Sequence, residues 1–125
     1  MSSLSLLEQA RLGLADAVEA TVPIDRYAAA HLAALRTAAA VLAARARPDE
    51  QHARRRPTSA WVLLATVAPE LGEWAAFFAA GATKRAAAEA GIRHAVTARE
   101  ADDLLRDATR FLAVVEDALG LVPAA

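Results

Sequence analysis

The stretch Ile24 to Leu42, IDRYAAAHLAALRTAAAVL, limits the possible folds more than any other. Ile24, Ala28, His31, Leu35, Ala38 and Leu42 recur in steps of four and three, the spacing of one helical stripe. Ala29, Ala30, Ala33, Ala34, Ala39 and Ala40 make much of the remaining circumference small and apolar. A helix that is apolar nearly all round belongs at the centre of a bundle. Arg26, His31, Arg36 and Thr37 are its polar exceptions. Alanine is the strongest helix former, and no stretch shows useful strand-like alternation, so the expected fold class is all-α.

The rest of the chain is consistent with that core. It has 125 residues, 56% of them hydrophobic, which is enough for one domain spanning residues 1–125. The formal net charge is −1, so no global charge points to nucleic acid or an anionic membrane. There is no cysteine, which rules out disulfides and thiolate chemistry and fits a reducing cytosol. MSSLSLLEQA lacks the basic start and apolar run of a secretory signal. No uninterrupted apolar segment reaches the roughly 18 to 20 residues that cross a bilayer. The expected location is therefore cytoplasmic, without a membrane partner.

In order, the first helix is expected from Ser5 to Glu19 or Ala20, with Ser5 and Glu8 as a capping box. Leu7, Leu14 and Val18, beside Leu6, Ala10 and Ala17, form its inward face. Gly13 marks a close helix contact. Pro23 suits the first turn of the second helix, which runs to about Ala46. Arg45 to Pro57, RARPDEQHARRRP, reads as an exposed loop between two prolines. Its Arg54, Arg55 and Arg56 are secondary candidates for phosphate contact. Thr58 or Ser59 caps a short helix over Ala60–Ala68. A helix from Pro69 to about Ala90 follows, with Leu71, Trp74, Phe78 and Gly81 on one stripe, Phe77 adjacent, and a kink or end at Gly81. Trp61 and Trp74 read as core or interface anchors. Gly91 stops that helix. Thr97 and Glu100 then form a capping box for a last helix over Ala98–Leu119. Its inward stripe is Ala101, Leu104, Ala108, Phe111, Val115 and Ala118, with Glu100, Asp102, Asp103, Arg106, Asp107 and Arg110 outside. The result is an up-and-down bundle of four to five helices.

Chemistry is harder to find. His31, His52 and His94 lie in separate segments without metal-ligand spacing, so no metal site is expected. No cofactor is expected either, since no phosphate-binding glycine pattern occurs. Arg26 and His31 form R-x4-H, but five helical residues turn through about 500°, leaving them about 140° apart. His31 sits on the apolar stripe, where a core or interface histidine bonded to a neighbour is expected. Arg85 continues the stripe of Trp74, Phe78 and Gly81, so it must reach water, a carboxylate or a partner. With Lys84, Arg93 and His94 it outlines a basic ligand-facing cluster where the third main helix meets the last.

DRYAAAHLAALRTAAAVLAARA, SAWVLLATVAPELGEWAAFFAAGATKRAAAEAG and TAREADDLLRDATRFLAVVEDAL together resemble an actinobacterial HEPN-domain family (higher eukaryotes and prokaryotes nucleotide-binding). The resemblance spans about Leu6 to Leu119. It implies a four- to five-helix bundle, often a two-fold dimer. Many relatives are RNases in toxin–antitoxin, defence or RNA-processing systems, and others are non-catalytic binding modules. The nucleases carry R-x4-6-H between the third and last main helices, with two protomers meeting at a cleft. The corresponding segment here is RAAAEAGIRHAV. Arg85 and His94 are eight residues apart, Arg93 directly precedes His94, and Ala86 stands where a small polar residue commonly follows the arginine. That departure argues against nuclease activity, so the resemblance implies a homodimeric module that binds RNA, nucleotide, an antitoxin or another protein partner without catalysis. The alternatives are a metal-independent endoribonuclease using His94 with Arg85 or Arg93, and a purely structural assembly protein.

Overall fold

A computed structural model of the chain describes residues 1–46 and 57–121. Among these residues there are six α-helices, two short 3-10 helices and no strand. Helices α1 (Ser3–Glu19) and α2 (Pro23–Arg45) come first. Helix α3 (Pro57–Val67) and a 3-10 turn (Pro69–Leu71) lead into α4 (Gly72–Ala80) and α5 (Ala82–Glu89). A second 3-10 turn (Arg93–Ala95) precedes α6 (Ala98–Ala118). The rod expected from Pro69 to Ala90 is thus three pieces. Pro69 starts the 3-10 turn, and Gly81 ends α4 while its carbonyl starts α5. This division turns the expected four-to-five-helix bundle into six segments.

The alanine-rich α2 is the hub, packing against α1, α3, α5 and α6. Its buried positions run well beyond one stripe, from Ile24 through Tyr27, Ala30, His31 and Ala34 to Leu42. By length and hydropathy α2 would qualify to cross a bilayer, contrary to the expectation from uninterrupted apolar runs. Yet 56% of its most apolar window is packed inside the bundle, as a central helix requires. Small residues let α1 approach it closely: a Cβ built on Gly13 would lie 3.4 Å from Ala33 Cβ. Ser3 Oγ also donates to the Ala40 carbonyl at 2.8 Å.

Three sequence details are corrected at the helix surfaces. Ser2 caps α1, accepting the Ser5 N–H, so the expected Ser5–Glu8 box does not form the cap. Val18 and Ala118 are expected inward and are exposed, Val18 one position past buried Ala17 and Ala118 at the last residue of its helix, beyond buried Val115. Helix α3 begins at Pro57, ahead of the expected Thr58 or Ser59 cap. The Thr97–Glu100 capping box forms as read, with both reciprocal bonds present. Gly91 and Gly120 hold positive φ angles of 81° and 75° at helix ends, where a Cβ would be strained.

The opposite half of the bundle is built on rings. Trp61 and Phe78 stack at 5.1 Å between centroids, and Phe111 of α6 lies 5.2 Å from Phe78. Trp74, only part-buried, lies 5.5 Å from Phe111. Helices α4 and α6 therefore meet through bulky side chains, while α1 and α2 meet along small ones. Bulky rings hold helix axes apart, and the gap they leave between α4 and α6 opens to solvent.

Candidate functional site

The basic cluster expected at the third-to-last helix junction is not assembled as a cationic patch. Lys84 pairs with Glu100, the capping glutamate of α6. Arg85 donates to both carboxylate oxygens of Glu89, at 3.0 and 3.2 Å, one turn along α5. This is the carboxylate partner that an arginine on an apolar stripe needs. Its Nε is buried and has no partner among the described residues. Arg93 and His94 are exposed on the 3-10 turn, with no ion pair among the described residues.

Arg26 and His31 diverge as their spacing requires. Arg26 turns back to α1, where Nε donates to the Ala17 carbonyl at 2.9 Å and Nη2 to Ala20 at 2.6 Å. Its Nη1 meets Asp102 of α6 at 2.6 Å. Arg26 thus satisfies carbonyls left open at the end of α1 and ties three helices together. Arg54, Arg55 and Arg56 lie outside the described residues.

His31 is 1% exposed and lies edge-on to both Trp61 and Phe78. Its Nε2 is 3.3 Å from the Phe78 carbonyl, which places the ring proton on Nε2. Nδ1 is then an acceptor, and it has no partner among the described residues. Burial pushes the imidazole pKa down, and the Phe78 carbonyl opposes that only in part.

His31 also lines a cleft of about 460 Å³ between α2, the α4–α5 break and α6. Tyr27 stands beside it on α2, and burial raises the phenol pKa. Gly81 is small for a reason: a Cβ there would come within 3.0 Å of the Tyr27 hydroxyl. Phe77, 47% exposed, forms one wall. Glu100, Asp103 and Asp107 form the other, on one stripe of α6 at spacings of three and four. Lys84 holds the Glu100 carboxyl below its ordinary range, helped by the Thr97 N–H. A smaller cavity of about 330 Å³ continues past Phe77 and Asp107 to Trp74 and Glu73.

Of the sequence-derived candidates among the described residues, only Lys84 and His31 reach this cleft. Tyr27, Phe77, Asp103 and Asp107 were not among them. The signal was present in the acidic stripe of α6, which reads equally well as a solvated outer face. Only the ring-spaced gap makes it a wall. Among the described residues, no group of three or more histidines and carboxylates is placed to hold a metal ion.

An all-α bundle arranged around one central helix, with a lateral cleft, defines the class as an all-helical domain. The SAV_6107-like HEPN family matches residues 17–116. The chain belongs to that family of HEPN domains, helical modules of the nucleotide-binding or RNase-like kind. No curated protein and no solved structure matches it.

Proposed function

We propose that this HEPN domain is a non-catalytic binding module whose working surface is the cleft between α4 and α6, and that the cleft receives a protein partner. The composition of the cleft carries the reading. Its walls combine exposed aromatic surface with carboxylates, and the two adjoining cavities are lined by four carboxylates against two cations. Such a lining repels phosphate and suits a polypeptide.

A nuclease reading has less support. Of the two arginines it could use with His94, Arg85 is engaged by Glu89, and Arg93 and His94 stand exposed on a 3-10 turn outside the cleft. A non-catalytic contact with RNA or nucleotide is the second reading. It is favoured by exposed Arg93 and His94 and would lie outside the cleft.

A titration of 15N-labelled protein with 5′-GMP and a mixed-sequence RNA decamer, with EDTA present, tests this reading. The amides of Tyr27, Phe77, Gly81 and Asp107 should stay unmoved and the RNA intact. Cleavage that His94→Ala abolishes would overturn the non-catalytic reading. Ligand-dependent shifts of the cleft amides would overturn the choice of a protein partner.

A further inference from the structure

We infer that the cleft is a receptor for a guanidinium group, an arginine side chain of the partner lying between Phe77 and the Asp107 carboxylate. This inference rests on the cleft being the working surface and names the group that it selects.

The carboxylates differ in what they already hold. Glu100 is taken by Lys84, and Asp103 accepts from Arg106 Nη1 at 3.2 Å. Asp107 has only a longer contact, 3.7 Å from Arg106 Nε, with no hydrogen bond among the described residues. Its side chain is nonetheless only 21% exposed. Its oxygens are not among the buried unpartnered atoms, so they stay open to a charged donor entering the cleft. Asp107 lines both cavities, and so does Phe77. The two therefore face the same space from α6 and α4.

His31 is 99% buried, and its Nδ1 is an acceptor without a partner among the described residues. Nδ1 has no exposed surface, so the acceptors a ligand meets are those of the carboxylate wall, and they call for a ligand rich in N–H groups. A guanidinium has five such donors in one plane and no acceptor. That plane also stacks on an aromatic face, as the exposed Phe77 ring offers. An ammonium group presents a point charge and cannot match the flat wall in the same way. The open end toward Trp74 leaves room for the flanking chain.

The test compares peptides by calorimetry and tryptophan fluorescence, Trp74 reporting from the second cavity. The probes are acetyl-Gly-Arg-Gly-Arg-Gly-amide, its citrulline counterpart, its lysine counterpart and 5′-GMP. The arginine peptide should bind in the millimolar range or tighter, with citrulline about tenfold weaker and lysine between them. Asp107→Asn should weaken the arginine peptide by about tenfold, and by less for the citrulline peptide, where the charge is gone. Phe77→Leu keeps the apolar bulk and should still weaken binding, because it removes the ring face. Circular dichroism confirms that both variants fold.

Equal binding of arginine and citrulline peptides would overturn the guanidinium assignment and leave the cleft as a peptide site. Lysine binding more tightly than arginine would overturn it too. Binding of 5′-GMP at the cleft, with no peptide bound, would overturn both the assignment and the protein-partner reading. Peptide binding that Asp107→Asn and Phe77→Leu both leave unchanged would place the site elsewhere and contradict the inference.

Discussion

Arg26 and His31 fall in one R-x4-H pattern, yet they do unrelated work, and each makes a prediction. Arg26 closes the end of α1 through the carbonyls of Ala17 and Ala20 and reaches Asp102 on α6. Arg26→Met keeps the stem and removes the donors. It should lower stability by about 2 kcal/mol in urea denaturation, the scale of hydrogen bonds from a charged group. His31 is buried with a lowered pKa, so the unfolded chain binds its proton more readily than the folded one. Stability contributed by the neutral ring is complete above the ordinary value of 6.5 and is lost as pH falls from there toward the folded-state value. Glu100 and Glu70, whose pKa values lie below the ordinary 4.5, add a second loss at lower pH. His31→Leu should flatten the first limb of a pH–stability curve and leave the second. The Phe78 carbonyl would keep the Gly81 N–H as a partner. An unchanged first limb would mean that another group causes it. The sequence marked His31 as a core histidine with a neighbour, and the Phe78 carbonyl is that neighbour. It could not show that the second nitrogen has no partner among the described residues, because that depends on how other helices pack around the ring.

Helices were legible where period and caps agreed. Residues such as Thr97, Glu100 and Pro23 mark their ends chemically, and those ends are where the sequence placed them. The kink or end expected at Gly81 is a break between two helices, whereas the separate 3-10 turn that Pro69 starts could not be read from the apolar spacing. Tyr27, a residue more than fifty positions away, occupies the space beside Gly81 and leaves little room for a side chain there. Close approach at Gly13 belongs to the same scale. Its would-be Cβ meets Ala33 Cβ at 3.4 Å, ordinary contact for a methyl group and little room for more. Gly13→Ala should raise stability by up to about 1 kcal/mol through helix propensity. Gly13→Leu should lower it by about 1–3 kcal/mol by forcing α1 off α2. Thermal unfolding of the two variants checks the contrast, and a loss with alanine would show a tighter interface than described.

At the scale of the molecule, alanine faces close one side of the bundle and aromatic rings prop open the other. The all-helical class followed from composition and period, and the family assignment agrees with it. The cleft did not follow, since it exists only where Trp74, Phe78 and Phe111 separate two helices that sequence treats independently. We propose that the domain also pairs with a second copy. Light scattering at tens of micromolar, roughly where weak dimers persist, should then give twice the mass of 13.1 kDa, and a monomeric mass would refute pairing. The cleft itself is tested most directly by intermolecular nuclear Overhauser effects with the arginine peptide. Contacts should run from the arginine δ-methylene protons to the rings of Phe77 and Tyr27. Contacts confined to Arg93 and His94, or to no residue of the cleft, would contradict the account.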